Sequence, residues 1–284
     1  MENIKKAYEL AKAKYAELGI DTDKALKELA AIPISMHCWQ GDDIFGFENS
    51  GELSGGIQVT GNYPGRARNP KELMADIDKA LSLVPGTHRI NVHACYAISD
   101  EPVERDSLKP EHFSEWVKFA KERNLGLDFN PTYFAHPLSD NGTLSAADEN
   151  VRKFWIEHGI RCRQIGEYFY KKTGKVCVIN HWTPDGDKEF PIDTLTPRLQ
   201  LKKSYDEIFE ATKDVEGVMD GIESKVFGIG AESFTAGSHE FCMGYVMKAN
   251  KDNIIMTLDT GHYHPTEMVS AKLASVYTFS DHVL

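Results

Sequence analysis

A chain of 284 residues, 41% hydrophobic and 26% charged, is long enough for one large α/β barrel or two smaller domains. Its formal charge of −11 at pH 7 argues against a nucleic-acid partner, which would need a basic patch, and fits a small or cationic ligand. No stretch approaches the roughly 20 apolar residues that span a bilayer, and residues 1–30 show no apolar secretory core, so no membrane role is expected. Cys38, Cys95, Cys162, Cys177 and Cys242 are odd in number and form no Cys-x-x-Cys, which reads as reduced, buried thiols and a cytoplasmic location.

Ile4, Ala7, Tyr8, Ala11, Tyr15 and Leu18 recur at helical spacing over residues 3–18, closed by Gly19. Asp21 or Thr22 caps a second short helix ending before Pro33. Residues 1–31 thus read as a helical extension. From there the chain alternates. "IPISMHCW" (32–39) reads as a strand, and a Gly-rich loop over 41–65 follows. Asn69-Pro70-Lys71-Glu72 opens a helix that runs to Pro85-Gly86. Further strands are expected at 88–96, 125–131, 175–182, within 217–230 and at 253–261. Helices are expected at 110–124, from a capping-box-like start formed by Ser145 and Asp148 to Gly174, at 198–213, after Ser238, and from Pro265 to about Thr278.

Strands alternating with helices imply βαβ units and a parallel sheet. No Gly-x-Gly-x-x-Gly follows the first strand and no GxxxxGK[ST] occurs. A doubly wound nucleotide-binding fold therefore loses ground to an α/β (β/α)8 TIM-type barrel over residues 32–284. His37, Trp39, His93, Asp128, Asn130, Asn180, His181, Glu223, Lys225, Asp259 and His262 fall within strands or at their C-terminal ends, where barrel active sites lie. The pattern contains about six βα units, two short of a closed barrel, which leads us to expect an incomplete copy of a longer protein.

Asp259-x-x-His262 ends the last strand. A carboxylate and an imidazole at such a junction suit a divalent ion of Mn²⁺, Co²⁺ or Zn²⁺ type; an acid–imidazole hydrogen bond that only orients the loop explains the spacing as well. Glu223 and Lys225, two apart on a strand, share a face. They form either a structural ion pair, or a metal ligand and a lysine free to stabilise an oxyanion or donate a proton. His93 is a candidate ligand of a substrate hydroxyl or a satisfied core histidine. Trp39, Phe129 and Trp182 are candidates for a sugar-stacking wall or plain core aromatics.

Six phrases in register, "ISMHCWQGDDIFGFE", "GNYPGRARNP", "HRINVHACYA", "LDFNPTYFAHPLS", "ESKVFGIGAESFTAGSHEF" and "LDTGHYHPTE", resemble L-rhamnose isomerase from residue 32 to about 276. The resemblance implies a (β/α)8 barrel of the xylose-isomerase-like group, two divalent metals with Mn²⁺ foremost, and a homotetramer that interconverts L-rhamnose and L-rhamnulose by hydrogen transfer between C1 and C2. It implies that Glu223 and Asp259 bind the structural metal, that His262 binds the catalytic one, and that Lys225 is the active-site lysine. It implies that His93 and Trp182 line the sugar pocket, and that Phe129 completes a neighbouring subunit's pocket. The family's other metal ligands have no counterpart here: "SDHVL" echoes their phrase without its Arg-Trp lead-in, so Asp281 and His282 are not assigned. Two alternatives stand beside this reading: another metal-dependent sugar epimerase or hydrolase on the same barrel, or an inactive fragment.

Overall fold

A computed structural model describes residues 2–48, 64–225, 232–249, 251–264 and 266–284. The expected helix start at Pro265 and the end of the expected 217–230 segment lie outside these.

The chain opens with helices α1 (Glu2–Glu17) and α2 (Thr22–Ala31), and neither buries a side chain. Asp21 caps α2 by accepting from the Lys24 N–H, and the Tyr8 hydroxyl donates to Asp23 to tie the two helices together. Strands β1 (Ile34–His37), β2 (His88–His93), β3 (Gly126–Asn130) and β4 (Cys177–Trp182) follow in order, separated by α3 (Pro70–Leu83), α4 (Ser114–Glu122) and α5 (Glu149–Thr173). A two-residue strand β5 (Gly186–Asp187), α6 (Thr196–Ala211), β6 (Val218–Glu223), β7 (Phe234–Thr235), α7 (His239–Ala249), β8 (Ile254–Thr257) and α8 (Val269–Val276) complete the path.

The long strands form one parallel sheet in the order β1-β2-β3-β4-β6-β8. This is what helices inserted between strands produce, because a parallel crossover needs a long connection. The antiparallel ribbon of β5 and β7, too short to show any periodicity, went unanticipated. So did the parallel bridge of Val283 to Met256 beside β8. Helix starts follow local chemistry: Asn69 accepts from the Glu72 N–H and Asp148 from the Asn150 N–H. Glu72 does not close a reciprocal box, since its carboxylate is taken by Arg68.

The two-residue strand period divides the sheet into unlike faces. Ile90, Val92, Leu127, Phe129, Cys177 and Ile179 turn to the helix layer and are buried there. The opposite face is mostly polar, with Val178, Met219 and Ile255 its apolar exceptions: His37 lies beside Asn91, His93 beside Asn130, Asn180 beside Gly221, Trp182 beside Glu223, and Glu223 beside Thr257. Parallel sheets covered by helices on both faces read as continuous apolar runs, so a polar inner face marks the lumen of a barrel wall.

Two expectations are corrected by this alternation. His181, expected at the functional rim, faces the helices, where its Nε2 lies 2.9 Å from Asp220 Oδ1. Arg163 of α5 donates to the same carboxylate at 3.0 and 3.1 Å. Phe129, expected to stack on substrate, is fully buried edge-on between Phe113 and Phe169, with ring centroids at 5.2 and 5.8 Å. It is core on the outer side of the sheet, because Asp128 and Asn130 on either side of it take the inner face.

Candidate metal centre

The site forms where β6 and β8 end. Glu223 is the last residue of β6 and is buried. Beyond β8, Asp259 caps a 3₁₀ turn over Thr260–His262 by accepting from the Gly261 N–H at 2.7 Å. That turn carries His262 back over Glu223, while His264 remains on the surface beside Thr266. The turn explains two histidines so close together: one points in and one out.

Glu223, Asp259 and His262 each offer a donor atom, and these atoms lie within 4.8 Å of one another. His262 Nδ1 sits 2.9 Å from the Ser224 carbonyl and 3.0 Å from Glu223 Oε1. A carbonyl only accepts, so Nδ1 carries a proton, and Nε2 is the ring nitrogen that faces Asp259 Oδ2 at 3.7 Å. The donor set of two carboxylates and one imidazole, with its free nitrogen directed at the exposed carboxylate, fits a divalent cation.

Burial pushes the Glu223 carboxyl up, although the His262 hydrogen bond and charge and the Asn180 hydrogen bond oppose the shift. Burial alone would lower the His262 imidazolium, but the Glu223 hydrogen bond and the Glu223 and Asp259 charges outweigh it and raise it. A buried acid and an exposed one facing a buried imidazole form a cluster that a divalent cation would stabilise.

Lys225 is buried and held: Nζ donates to the Pro184 carbonyl at 2.7 Å and pairs with Glu232 at 2.5 Å. It lies 5.5 Å from the centroid of the Trp182 ring. Trp182 stacks on His262 at 5.8 Å and 30°. His93 sits on the same inner face, 3.3 Å from His37 Nδ1 through its Nε2. Burial lowers the His93 imidazolium well below its ordinary range, with His37 and Arg105 adding to the effect. Trp39 stands half-buried on the turn after β1, its ring 6.3 Å from that of His37. Trp39, Phe129 and Trp182 therefore do not assemble into one wall. Three buried polar atoms of the inner face, Asn91 Oδ1, His93 Nδ1 and Trp182 Nε1, have no hydrogen-bond partner among the described residues.

Pairings that the sequence does not announce also appear. Glu232 reaches Lys225 from a loop with no periodicity to announce it. Asn180 and Thr257 bond toward Glu223; the two-residue period that puts Asn180 on one face with Trp182, and Thr257 with Asp259, was the available signal.

Comparison with known proteins bears on the whole chain. The family model described as L-rhamnose isomerase (RhaA) matches residues 2–284. The L-rhamnose isomerase of Mannheimia succiniciproducens is 53% identical over 285 residues, covering 100% of this chain and 68% of that protein. Those of Listeria monocytogenes serotype 4a and Escherichia coli strain SMS-3-5 are 53% and 50% identical, each over 99% of this chain and 67% of theirs. Among solved structures, a D-tagatose 3-epimerase-like protein superposes with a TM-score of 0.57 at 13% identity, covering 89% of this chain and 74% of that one. D-psicose 3-epimerase in the presence of D-fructose gives 0.57 at 15% identity, with 89% and 72% covered. At such identities the likeness concerns the fold alone, a TIM-type α/β barrel wall. With the family model spanning residue 2 to residue 284 and half the positions shared with its named members, this chain belongs to the L-rhamnose isomerase family.

Proposed function

We propose that residues 32–284 carry one wall of the active site of an isomerase interconverting L-rhamnose and L-rhamnulose, with residues 1–31 as a helical extension. The observation that carries this reading is the convergence of Glu223, Asp259 and His262 on one point at the strand ends, in a chain of this family. Glu223 and Asp259 would hold a structural divalent cation, and His262, through Nε2, a second, catalytic one beside it. Once bound, it would supply Lewis-acid stabilisation of the negative charge that develops on the sugar oxygens. Oxygen-rich ligation with one imidazole favours Mn²⁺ among the candidates, with Zn²⁺ or Co²⁺ also accommodated.

The reaction moves one hydrogen from C2 to C1 and one proton from the C2 hydroxyl to the C1 oxygen. Lys225, fixed by Pro184 and Glu232, holds an ammonium proton beside the site and can stabilise or protonate an oxygen that gains charge. Trp182 offers a flat face that excludes water from the cluster, and its unpartnered Nε1, with Asn91 Oδ1 and His93 Nδ1, can hydrogen-bond a polyhydroxylated ligand. The neutral His93 ring accepts or donates without placing a second cation in the pocket.

Among the described residues, three donors are fewer than two ions require, and six long strands are fewer than the eight of a closed barrel. Both support an enzyme whose remaining ligands lie outside these residues. The five free, buried cysteines support a reducing cytoplasm, and the exposed apolar side chains of α1 and α2, such as Ile4, Leu10 and Leu29, support assembly as a homotetramer. The test is product analysis with the full-length protein: L-rhamnulose formed from L-rhamnose upon adding Mn²⁺ is expected. No ketose from L-rhamnose, with a 3-epimer formed from a ketose instead, would overturn the reading.

A further inference from the structure

We infer that Asn180 and Thr257 are positioning residues that form a two-step hydrogen-bond relay fixing the orientation of the Glu223 carboxylate for cation binding. The inference rests on the reading of Glu223 as a ligand and adds how that ligand is held.

The Thr257 hydroxyl donates to Asn180 Oδ1 at 2.9 Å, and Asn180 Nδ2 donates to Glu223 Oε2. All three side chains are buried, at 7% exposure or less. The directions in this chain are forced. Glu223 is an acceptor as a carboxylate, so the amide edge it faces must be the NH₂. The opposite edge is then the carbonyl, which requires Thr257 to donate. Turning the amide over would set two oxygens against each other at one end. The hydroxyl thus selects the amide orientation, and the amide selects the carboxylate orientation. The other carboxylate oxygen, Oε1, stays with His262 Nδ1 at 3.0 Å. Register supplies the relay, since Asn180 pairs with Gly221 and Thr257 with Glu223 across neighbouring strands. Gly221 supplies the room: a Cβ there would stand 2.5 Å from Thr257 Oγ1, in the space the hydroxyl uses.

A ligand carboxylate left to rotate loses affinity through disorder, and outer partners of this kind are worth about 10- to 100-fold in metal affinity. The experiment is calorimetric titration of Mn²⁺ into the metal-stripped full-length protein, with the melting temperature of the metal-free form recorded alongside. Asn180→Leu is expected to weaken Mn²⁺ binding by about 10- to 100-fold and Thr257→Val by about 10-fold. Thr257→Ser, which keeps the hydroxyl, should restore near-normal affinity. The double variant Asn180→Leu/Thr257→Val should bind no more weakly than Asn180→Leu alone, because the hydroxyl acts through the amide. Mn²⁺ affinity within about threefold of the parent in both single variants, below the range for outer partners, would overturn the relay, whatever happens to the metal-free melting temperature. So would single losses that multiply in the double variant. Glu223→Gln separates the two levels. If it leaves Mn²⁺ affinity unchanged, the ligand reading falls and the relay with it. If it weakens binding while Asn180→Leu and Thr257→Val do not, the relay alone falls.

Discussion

The chemistry at single residues turns on which atom each side chain leaves free. His262 spends Nδ1 on the Ser224 carbonyl and Glu223, so its Nε2 is the atom available for ligation. His262→Ala or Asp259→Asn should reduce turnover by at least about 100-fold, beyond the range typical of outer partners. The fold should stay intact, because Asp259 is half-exposed and His262, though buried, sits on a short turn beyond the last long strand of the sheet. Steady-state kinetics with far-ultraviolet circular dichroism checks both parts. Lys225→Met should lower kcat by roughly 100- to 1,000-fold, the cost of one donor at a developing oxyanion. Mn²⁺ affinity should remain, since Nζ bonds Pro184 and Glu232 and not the cluster; titration calorimetry and a kcat measurement separate the two effects. At this scale the sequence was half legible. Asp-x-x-His and Glu-x-Lys advertise themselves by spacing, whereas Glu232, Asn180 and Thr257 are ordinary residues that matter only through what they touch.

Elements were legible where local physics suffices. Helix α3 begins at an Asn-Pro pair and α5 at an Asp, because side-chain acceptors satisfy the first free N–H groups. The six long strands were legible as apolar runs with interleaved polar residues. Phe129 shows the limit: it is equally at home on substrate or in a core, and only the face taken by Asp128 and Asn130 decides between them. Contacts between helices were not legible at all. Gly159 on α5 lies so close to α6 and β3's loop that a Cβ would come within 2.5 Å of Ile208 Cδ1 and 2.8 Å of Tyr133 Oη. Gly159→Ala is therefore expected to destabilise the protein by about 1–3 kcal/mol, the cost of overpacking, despite the better helix propensity of alanine. Urea unfolding measures it.

For the whole molecule, buried histidines couple stability to pH. His158 is lowered to about 4 by burial and by Arg105, against the pull of the Arg105 and Pro131 carbonyls. His93 and His37 are lowered by burial too. A folded pKa below the unfolded value of about 6.5 means that the unfolded chain takes up the proton first as pH falls. The contribution of His158 is thus fully present above about pH 6.5 and is lost between there and pH 4, about 3 kcal/mol in all. Urea unfolding at stepped pH should show this slope, and a His158→Gln variant should show a shallower one.

The sequence by itself determined the alternation of strand and helix, the helix caps, and the residue types from which a cation site can be built, because these depend on neighbours a few positions apart. Only the tertiary structure decided which imidazole turns inward, that Phe129 and His181 belong to the helix side, and that Asn180 and Thr257 reach Glu223. Those outcomes depend on register between strands far apart in the chain, where a shift of one residue would exchange the two faces of the sheet.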